Sequence, residues 1–173
     1  MRIGVIVAMD KEFAQLQTFA SDKKEQTVAG RTFVVGSIGD NEIVMQKCGI
    51  GKVNAAVGAS ELIAAFHPDL VISTGVAGGA DTSLEVCEVV VSTACCYHDV
   101  YCGDECAMGQ VLGMPERFES DARLVATATS LNCHTRVHAG LIVTGDWFVN
   151  SREKMQQILN SLCCSKDYFS FQK

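Results

Sequence analysis

The sequence predicts an α/β fold, in which short apolar strands alternate with helices. Residues 2–8 and 70–72 are apolar runs rich in β-branched side chains, which is typical of strands buried on both faces of a parallel sheet. Residues 52–66 form an alanine-rich stretch with a helical period. Residues 75–79 contain three glycines directly after the second run, so the backbone there can approach a ligand closely. Because ligands bind at the carboxyl ends of strands in such sheets, residues 75–79 are a candidate site, with a plain turn as the alternative.

The composition favours one globular domain that binds a small molecule. The chain has 173 residues, and its hydrophobic content of 48% suffices for a sizeable core. The net charge of -6 and the lack of a long Lys/Arg cluster argue against nucleic acid or an anionic membrane as the partner. The first strand begins at Ile3 without a leader, and no apolar run reaches membrane-spanning length. We therefore expect a cytoplasmic protein.

Nine cysteines are scattered along the chain, several of them inside apolar runs. Buried thiols behave as small hydrophobic groups, and free thiols are typical of a reducing compartment. No Cys-x-x-Cys pair occurs, and Cys102 and Cys106 near His98 lack a second cluster that would complete a tetrahedral site. The sequence therefore predicts reduced thiols and no metal site.

The first half of the chain alternates between helix and strand signals. Asp10 can cap a helix that covers the sheet. Residues 31–38 and 42–48 are strand-like and are joined by a Gly-Asp-Asn turn typical of a hairpin. The helix over residues 52–66 carries small and apolar side chains along one side, which we expect to lie close to the sheet: Val53, Ala56, Val57, Ser60, and Ile63 or Ala64.

The second half begins with two strands separated by a long irregular stretch. Residues 89–93 and 136–143 have the composition of strands. Residues 95–117 contain several glycines and apolar side chains without a regular period. Such a segment is long enough to be functional, and its apolar side chains would either cover the core or meet another subunit.

Two helices with polar caps complete the predicted elements. The first is capped by Ser120 or Asp121, and the second begins at Ser151. The second helix places four apolar side chains on one face: Met155, Ile158, Leu159 and Leu162. Residues 163–173 show no helical or strand period, so we expect one domain over residues 1–162 and an unpatterned tail.

Three positions carry groups that suit ligand chemistry. Glu12 lies in the first turn of a helix beside a strand's carboxyl end, with a helix-dipole role as the alternative. Trp147 and Phe148 leave the end of another strand, where they could stack on a planar ligand or belong to the core. Gly49 and Gly51 expose backbone N–H groups at a helix start, which suits an anion or a hydroxyl. The third glycine of a dinucleotide fingerprint is missing, so no Rossmann cofactor is predicted.

Five segments occur together in the order of one known family. They are Met9 and Glu12 after Ile-Gly-Val-Ile-Val-Ala, Lys47-x-Gly49-Ile50-Gly51-Lys52-Val53, Thr74-Gly75-Val76-Ala77-Gly78-Gly79, Tyr97-His98-Asp99, and Gly140-Leu141-Ile142-Val143-Thr144-Gly145-Asp146. Over about residues 1–150, the chain resembles 5'-methylthioadenosine/S-adenosylhomocysteine nucleosidase of the purine nucleoside phosphorylase superfamily.

This resemblance implies a fold, a reaction and an assembly. The fold would be a three-layer α/β/α sandwich with the nucleoside phosphorylase-like twisted mixed sheet, lacking the last strand and helix elements. The reaction would be hydrolysis of the N-ribosidic bond of 5'-methylthioadenosine or S-adenosylhomocysteine to adenine and the thioribose product, without a cofactor. The assembly would be a homodimer with residues 97–117 at its interface.

The resemblance also implies roles for individual residues. Glu12 matches the carboxylate that orients and activates the attacking water. The resemblance assigns Met9, Ile50 and Gly51 to the ribose and water region, and Ala77 and Gly78 to the loop beside the base. It assigns Phe148 as the ring that stacks on adenine and Val149 as the residue whose backbone reads the adenine edge. Ala8 and Val76 are further substrate-binding matches. Residues 111–115 resemble the segment that reaches a neighbouring subunit's 5'-alkylthio pocket.

The chain departs from the family in the acid that would protonate the leaving base. Cleavage leaves an oxocarbenium-like sugar and negative charge on the purine, so the reaction needs a carboxylate beside the water and an acid for the base. The family supplies the acid from a Ser-Asp loop after a later strand and grips the ribose with Met-Glu-x-Glu. This sequence has no Ser-Asp pair after the helix that begins at Ser151, and it has no Met-Glu-x-Glu segment. We therefore expect a chain shortened relative to its family, with exposed apolar faces and low stability or compensating oligomers.

Two alternatives to hydrolysis stay open at this point. The first is a catalytically incomplete remnant that binds adenine nucleosides. The second is a purine nucleoside phosphorylase, although the arginines of the chain show no phosphate-binding grouping in the sequence.

Overall fold

In the computed structural model, residues 1–162 are described in full and residues 169–172 by their backbone. The chain divides into two compact units, Met1–Val76 and Ala77–Lys173. Each unit contains a five-stranded mixed sheet with flanking helices. The single domain expected over residues 1–162 stays a prediction.

The first unit has a sheet in the order β2-β3-β4-β1-β5. Its elements are β1 (Arg2–Val7), α1 (Asp10–Gln17), β2 (Ser21–Val28), β3 (Arg31–Ile38), β4 (Asn41–Lys47), α2 (Lys52–Phe66) and β5 (Leu70–Ser73). Strand β1 pairs in parallel with β4 and β5, whereas β2, β3 and β4 form an antiparallel meander. The predicted hairpin between β3 and β4 is confirmed.

The two helices of this unit cover opposite faces of its sheet. Successive side chains of a strand point to opposite faces, and Val5 and Ile6 of β1 accordingly belong to different core clusters. Ile6 packs with Leu62 and other residues under α2, and Val5 lies in the cluster that Phe13 of α1 covers. Sheet and helices therefore form three layers within this unit.

Helix α2 has the predicted bounds, but it buries a different face from the one expected. Gly58, Leu62 and Phe66 face the sheet, and a Cβ added at Gly58 would lie 2.6 Å from Cβ of Cys48. The expected face is exposed instead, with Val53 at 74% of its possible exposure. Apolar residues lie on all sides of α2, so the helical period alone could not choose the buried face.

Three further details of the first unit differ from the sequence expectation. Strand β5 is half-buried to exposed rather than buried on both faces, because it lies at the edge of this unit's sheet. Asp10 is the first residue of α1 rather than its cap, and Met9 occupies the N-cap position. The wholly exposed strand β2 was not predicted, since a strand without a buried face shows no alternation.

The second unit has a sheet in the order β6-β10-β9-β7-β8. Its elements are β6 (Ala77–Gly79), β7 (Val89–Tyr97), β8 (Phe118–Glu119), α3 (Ala122–Thr129), β9 (Val137–Thr144), α4 (Arg152–Ser161) and β10 (Phe169–Gln172). Strand β9 pairs in parallel with β7 and β10, and the two outer strands are antiparallel to their neighbours.

Side-chain caps and a small core stabilise the helices of this unit. The Asp121 carboxylate accepts the backbone N–H groups of Arg123 and Leu124 at the start of α3. Ser151 Oγ accepts the backbone N–H of Lys154 at the start of α4. The four apolar side chains predicted on one face of the second helix either lie in the core cluster or pack against it. Both predicted caps are confirmed.

Three strands of the second unit were not predicted: β6, the two-residue β8, and β10. Residues 77–79 are not part of a glycine loop but form β6, and Phe169–Gln172 within the expected unpatterned tail form β10. Strands β6 and β10 pair with each other, with Gly78 opposite Phe171. Three or four residues are too few to show a period, so their pairing partners define these strands. No helix among the described residues is long and apolar enough to cross a membrane.

Candidate active site

In the first unit, three chain segments leave the sheet at the carboxyl ends of its parallel strands, and we call this end of the sheet the carboxyl edge. Strands β1, β4 and β5 are parallel, so the residues after Val7, Lys47 and Ser73 emerge side by side. Backbone hydrogen bonds continue the pairing beyond the strands: the Cys48 N–H donates to the Val7 oxygen at 2.9 Å, and the Thr74 N–H donates to the Ile6 oxygen at 3.1 Å. This edge is where an open α/β sheet binds ligands.

The Glu12 carboxylate gathers three backbone N–H groups at this edge. Its Oε2 accepts from Ala8 at 3.2 Å and from Met9 at 2.9 Å, and its Oε1 accepts from Val76 at 2.9 Å. The bond from Met9 is the half of a capping box in which the third helical residue reaches back to the N-cap. The helix-terminus role considered for Glu12 is therefore present, and the bond from Val76 joins it to the candidate glycine segment.

This arrangement orients the carboxylate and leaves it able to accept a further hydrogen bond. A carboxylate offers about four lone-pair positions, and three N–H groups leave about one for a further donor such as water. Glu12 is half-buried, so its side chain is held between protein and solvent. The chemistry available to such a group is to orient a water and to take its proton.

Gly75 permits the approach of the glycine segment to Glu12. A Cβ added at Gly75 would lie 2.8 Å from Glu12 Oε1, closer than real Cβ contacts occur. Only glycine therefore lets the next residue, Val76, bring its N–H to the carboxylate without displacing it.

Ile50 and Gly51 follow β4 at the same edge. Gly51 is the N-cap of α2 with a φ of 100°, a backbone conformation that favours glycine, and no side chain caps the helix there. The Ile50 side chain is exposed, and its carbonyl accepts from Asn54 Nδ2 at 2.7 Å. The first N–H groups of α2 thus lie at the edge where Glu12 is held.

Two neighbouring groups set the charge around this edge. Lys47 Nζ and Asp10 Oδ1 form an exposed ion pair at 2.5 Å, joining the end of β4 to the start of α1. Cys48 is buried, and burial raises the pKa of its thiol. Its Sγ donates to the Val7 carbonyl at 3.2 Å, so Cys48 is a packed neutral thiol rather than a nucleophile.

In the second unit, Phe148 and Val149 lie in the turn that follows β9. Phe148 is 58% exposed and Trp147 is 45% exposed, so the interpretation of this aromatic pair as core does not hold. Val149 instead packs against the core cluster of this unit. The turn therefore presents an aromatic ring to the surface while its next side chain points into the core.

Ala77 and Gly78 lie in β6 of the same unit. Both are exposed, and their backbones take part in the antiparallel pairing with β10. A Cβ added at Gly78 would meet nothing within 4 Å. The glycine segment is thus divided, with Gly75 and Val76 beside Glu12 and the following residues in a strand.

The structure therefore brings some predicted site residues together directly. Ala8, Met9, Glu12 and Val76 are joined by hydrogen bonds, and Ile50 and Gly51 follow the neighbouring strand; the remaining candidates, Ala77, Gly78, Phe148 and Val149, belong to the second unit. Within the described part of the chain, no cluster of three His, Cys, Asp or Glu side chains could hold a metal ion.

Sequence reasoning did not assign roles to Asp99 and Lys154, which contact the turn that carries Phe148. The motif Tyr97-His98-Asp99 was the available signal for Asp99. For Lys154 the sequence offered none, because a helical lysine is ordinarily an exposed charge.

Comparisons with known proteins place this geometry in a family. The model of the phosphorylase superfamily matches residues 2–165. A 5'-methylthioadenosine/S-adenosylhomocysteine nucleosidase from Exiguobacterium is 42% identical over 166 residues, which are 92% of this chain and 70% of that protein. The class that the fold and the matched segments define is thus the phosphorylase superfamily.

Solved structures agree with that assignment. A nucleosidase of the same name from Colwellia psychrerythraea, in complex with adenine, superposes with a TM-score of 0.89 at 35% identity and covers 98% of this chain and 72% of that one. The Streptococcus pneumoniae enzyme in complex with 8-aminoadenine gives a TM-score of 0.90 at 35% identity, covering 99% and 76%. The chain belongs to the 5'-methylthioadenosine/S-adenosylhomocysteine nucleosidase family. The predicted nucleoside phosphorylase-like fold is confirmed.

Proposed function

We propose that this protein hydrolyses the N-ribosidic bond of 5'-methylthioadenosine and S-adenosylhomocysteine, releasing adenine and the thioribose product. The observation that carries the proposal is the Glu12 carboxylate, which three backbone N–H groups orient at the carboxyl edge of a parallel sheet. The relatives bear the name of that activity, and two solved structures that share this fold contain adenine or 8-aminoadenine.

Glu12 is the proposed catalytic residue. It would hold the attacking water with its remaining acceptor capacity and take a proton as the water adds to the sugar. The departing adenine would take its proton from solvent water, because the sequence contains no counterpart of the family's acid. General base catalysis of this kind contributes about 100- to 10,000-fold to a rate. The negative charge of the carboxylate would also favour the oxocarbenium-like sugar of the transition state.

The ribose and the attacking water would lie along the edge that carries Glu12. Ala8 and Met9 border the carboxylate on one side and Val76 borders it on the other. Ile50 and Gly51 follow the adjacent strand, and the start of α2 offers backbone N–H groups suited to a hydroxyl. These five residues form the proposed ribose-binding set.

We assign four residues to the adenine. The exposed Phe148 ring suits stacking on a purine, and an aromatic contact of this type contributes about 1 kcal/mol beyond buried area. We assign Val149 to the adenine edge through its backbone, and Ala77 and Gly78 to the neighbourhood of the base. A strand backbone beside a planar ligand allows close approach where the side chains are small.

The first experiment measures adenine release. Purified protein, at a concentration close to that of the substrate, is incubated with 5'-methylthioadenosine in phosphate-free buffer, and adenine is quantified chromatographically with Glu12→Gln in parallel. We expect release that depends on Glu12 and not on phosphate. Binding of the nucleoside without release would favour the non-catalytic alternative, and formation of a ribose 1-phosphate derivative only with phosphate would favour a phosphorylase.

The assembly and cellular setting belong to the same proposal. Exposed apolar side chains of α2, together with Leu112 and Met114 in the 97–117 segment, support a homodimer with that segment at its interface. Free cysteines among the described residues and the acidic composition support action in the cytoplasm. A role in methionine salvage follows from the proposed substrates, whose thioribose product carries the sulfur. Light scattering of the purified protein tests the dimer, and a monomeric mass at micromolar concentration would contradict it.

A further inference from the structure

We propose that Asp99 is a positioning residue for the base-binding turn, defined as residues 145–150. It would hold the backbone of this turn so that Phe148 presents its ring in one orientation to a planar ligand. The inference rests on the proposed function, because the turn matters to turnover only where adenine binds. The structural basis is a turn whose backbone is held by side chains and whose aromatic ring is exposed.

The anchor at the start of the turn is a hydrogen bond to a carboxylate. The backbone N–H of Asp146 donates to Asp99 Oδ2 at 2.8 Å, across 47 residues of sequence. Residue Asp146 is itself exposed, whereas Asp99 is half-buried. A charged acceptor makes a shorter and stronger hydrogen bond than a neutral one, so this bond is suited to holding an exposed turn.

His98 contacts the same part of the turn from the buried side. It is 2% exposed, its backbone N–H donates to the Thr144 carbonyl at 3.0 Å, and its ring meets that of Trp147 edge-on with the centroids 5.5 Å apart. A Cβ added at Gly145 would lie 2.4 Å from His98 Nε2 and 2.8 Å from Asp99 Cγ. Residue 145 must therefore be glycine for the turn to reach both side chains.

The far side of the turn has its own anchors. Lys154 Nζ donates to the Phe148 carbonyl at 3.4 Å and to Asn150 Oδ1 at 3.1 Å. Val149 packs against the core cluster beneath the turn. The backbone of Phe148 thus lies between a carboxylate anchor on one side and a lysine and core anchor on the other.

Anchoring of this kind affects binding directly. A ring that is already oriented loses less conformational freedom when a ligand stacks on it, so the observed affinity is higher. Loss of the Asp99 bond would release the first half of the turn while the core contacts of Val149 remain. We therefore expect adenine binding to weaken without loss of the fold.

The chain offers a specific probe, because Trp147 is its single tryptophan and lies inside the turn. In Asp99→Ala we expect stronger acrylamide quenching of Trp147 fluorescence and about tenfold weaker adenine binding, the scale for losing one hydrogen bond to a charged group. Asp99→Asn keeps a carbonyl oxygen for the Asp146 N–H and should recover most of both. Far-UV circular dichroism monitors the fold.

Asp121→Ala is the matched control. It removes another carboxylate that accepts backbone N–H groups in the same unit, at the start of α3. We expect a lower melting temperature, with wild-type quenching of Trp147 and wild-type adenine affinity. A change in both readouts as large as that of Asp99→Ala would overturn the proposal, since any cap loss would then suffice.

A measurement on the unaltered protein covers the case in which Asp99→Ala does not fold. Hydrogen exchange should show the exposed Asp146 amide exchanging at least about tenfold more slowly than an unprotected amide. Unprotected exchange at Asp146 would overturn the anchor. Unchanged quenching and adenine affinity in Asp99→Ala would overturn the positioning role alone, whereas no adenine binding by the wild-type protein would overturn the proposed function.

Discussion

The two units each contain a carboxylate that holds the turn after a parallel strand, and the two arrangements share one geometry. Glu12 accepts the N–H of Val76, the residue after Gly75, and Asp99 accepts the N–H of Asp146, the residue after Gly145. In both places an added Cβ on the glycine would lie 2.8 Å from an atom of the carboxylate group. The same local device therefore occurs twice in this chain.

The difference between the two lies in where the carboxylate comes from. Glu12 belongs to the first turn of α1 and also accepts from Ala8 and Met9, so part of its environment is local in sequence. Asp99 follows a neighbouring strand and meets its turn only through tertiary structure. A carboxylate in the first turn of a helix, such as Glu12, can be oriented for catalysis. A carboxylate that accepts from a turn distant in sequence, such as Asp99, is suited to positioning that turn.

The substitution Glu12→Gln should have the largest effect on the rate of adenine release, and it tests the catalytic role that distinguishes Glu12 from Asp99. The amide keeps the size of the side chain but loses the charge and the second acceptor oxygen, so we expect adenine release to fall at least about 100-fold. Initial rates with 5'-methylthioadenosine measure this, with Glu25→Gln on the exposed strand β2 as the control. Wild-type turnover in Glu12→Gln would refute the catalytic assignment.

Gly75→Ala should act through Glu12 and have the next largest effect. The new Cβ would push the carboxylate away from Val76, and a displacement on the order of 1 Å at a catalytic group reduces a rate by about 100-fold. Adenine affinity should stay near the wild-type value, because the proposal assigns the base to other residues. Equal losses of turnover and adenine affinity would argue that Gly75 contacts the base instead.

Phe148→Ala should affect binding more than stability. The ring is exposed, so its loss should hardly change the melting temperature, while adenine binding should weaken by about tenfold through lost stacking. Leu141→Ala in the core cluster is the contrast, since truncation of a buried leucine costs about 2 to 5 kcal/mol. Calorimetric titration and thermal melts give both numbers, and the reverse ranking would return Phe148 to a packing role.

The smallest effect concerns Asp121, a carboxylate that caps α3 and pairs with Arg123. Its side-chain hydrogen bond with Arg123 and the backbone N–H groups of α3 lower its pKa to about 2. An unfolded aspartate titrates at about 3.9, so the stabilising contribution of Asp121 is complete above that pH and is lost as the pH falls to about 2. The difference in melting temperature between wild type and Asp121→Asn should be constant from neutral pH to about 5 and should shrink between about 4 and 2. A difference that grows on acidification would contradict this sign.

Sequence patterns predicted the features that depend on neighbouring residues. The bounds of α2, the hairpin between β3 and β4, the caps Asp121 and Ser151 and the place of Glu12 in a first helical turn all follow from residues within one or two turns of chain. The resemblance of five short segments to one family was equally available, since their order and residue types are written in the chain. These features need no knowledge of what lies across the sheet.

Tertiary structure decided which surfaces those elements use. Helix α2 turns Gly58 and Leu62 to the sheet rather than Val53 and Val57, because only glycine there allows the close approach to Cys48. Strand β6 is defined by its pairing with β10, and β10 by its pairing with β6 and β9. The hydrogen bonds from Val76 to Glu12 and from Asp146 to Asp99 cross 64 and 47 residues. Periodicity reports the spacing of side chains along one element, whereas a buried face, a short strand and a distant hydrogen bond each depend on a partner that the local sequence does not contain.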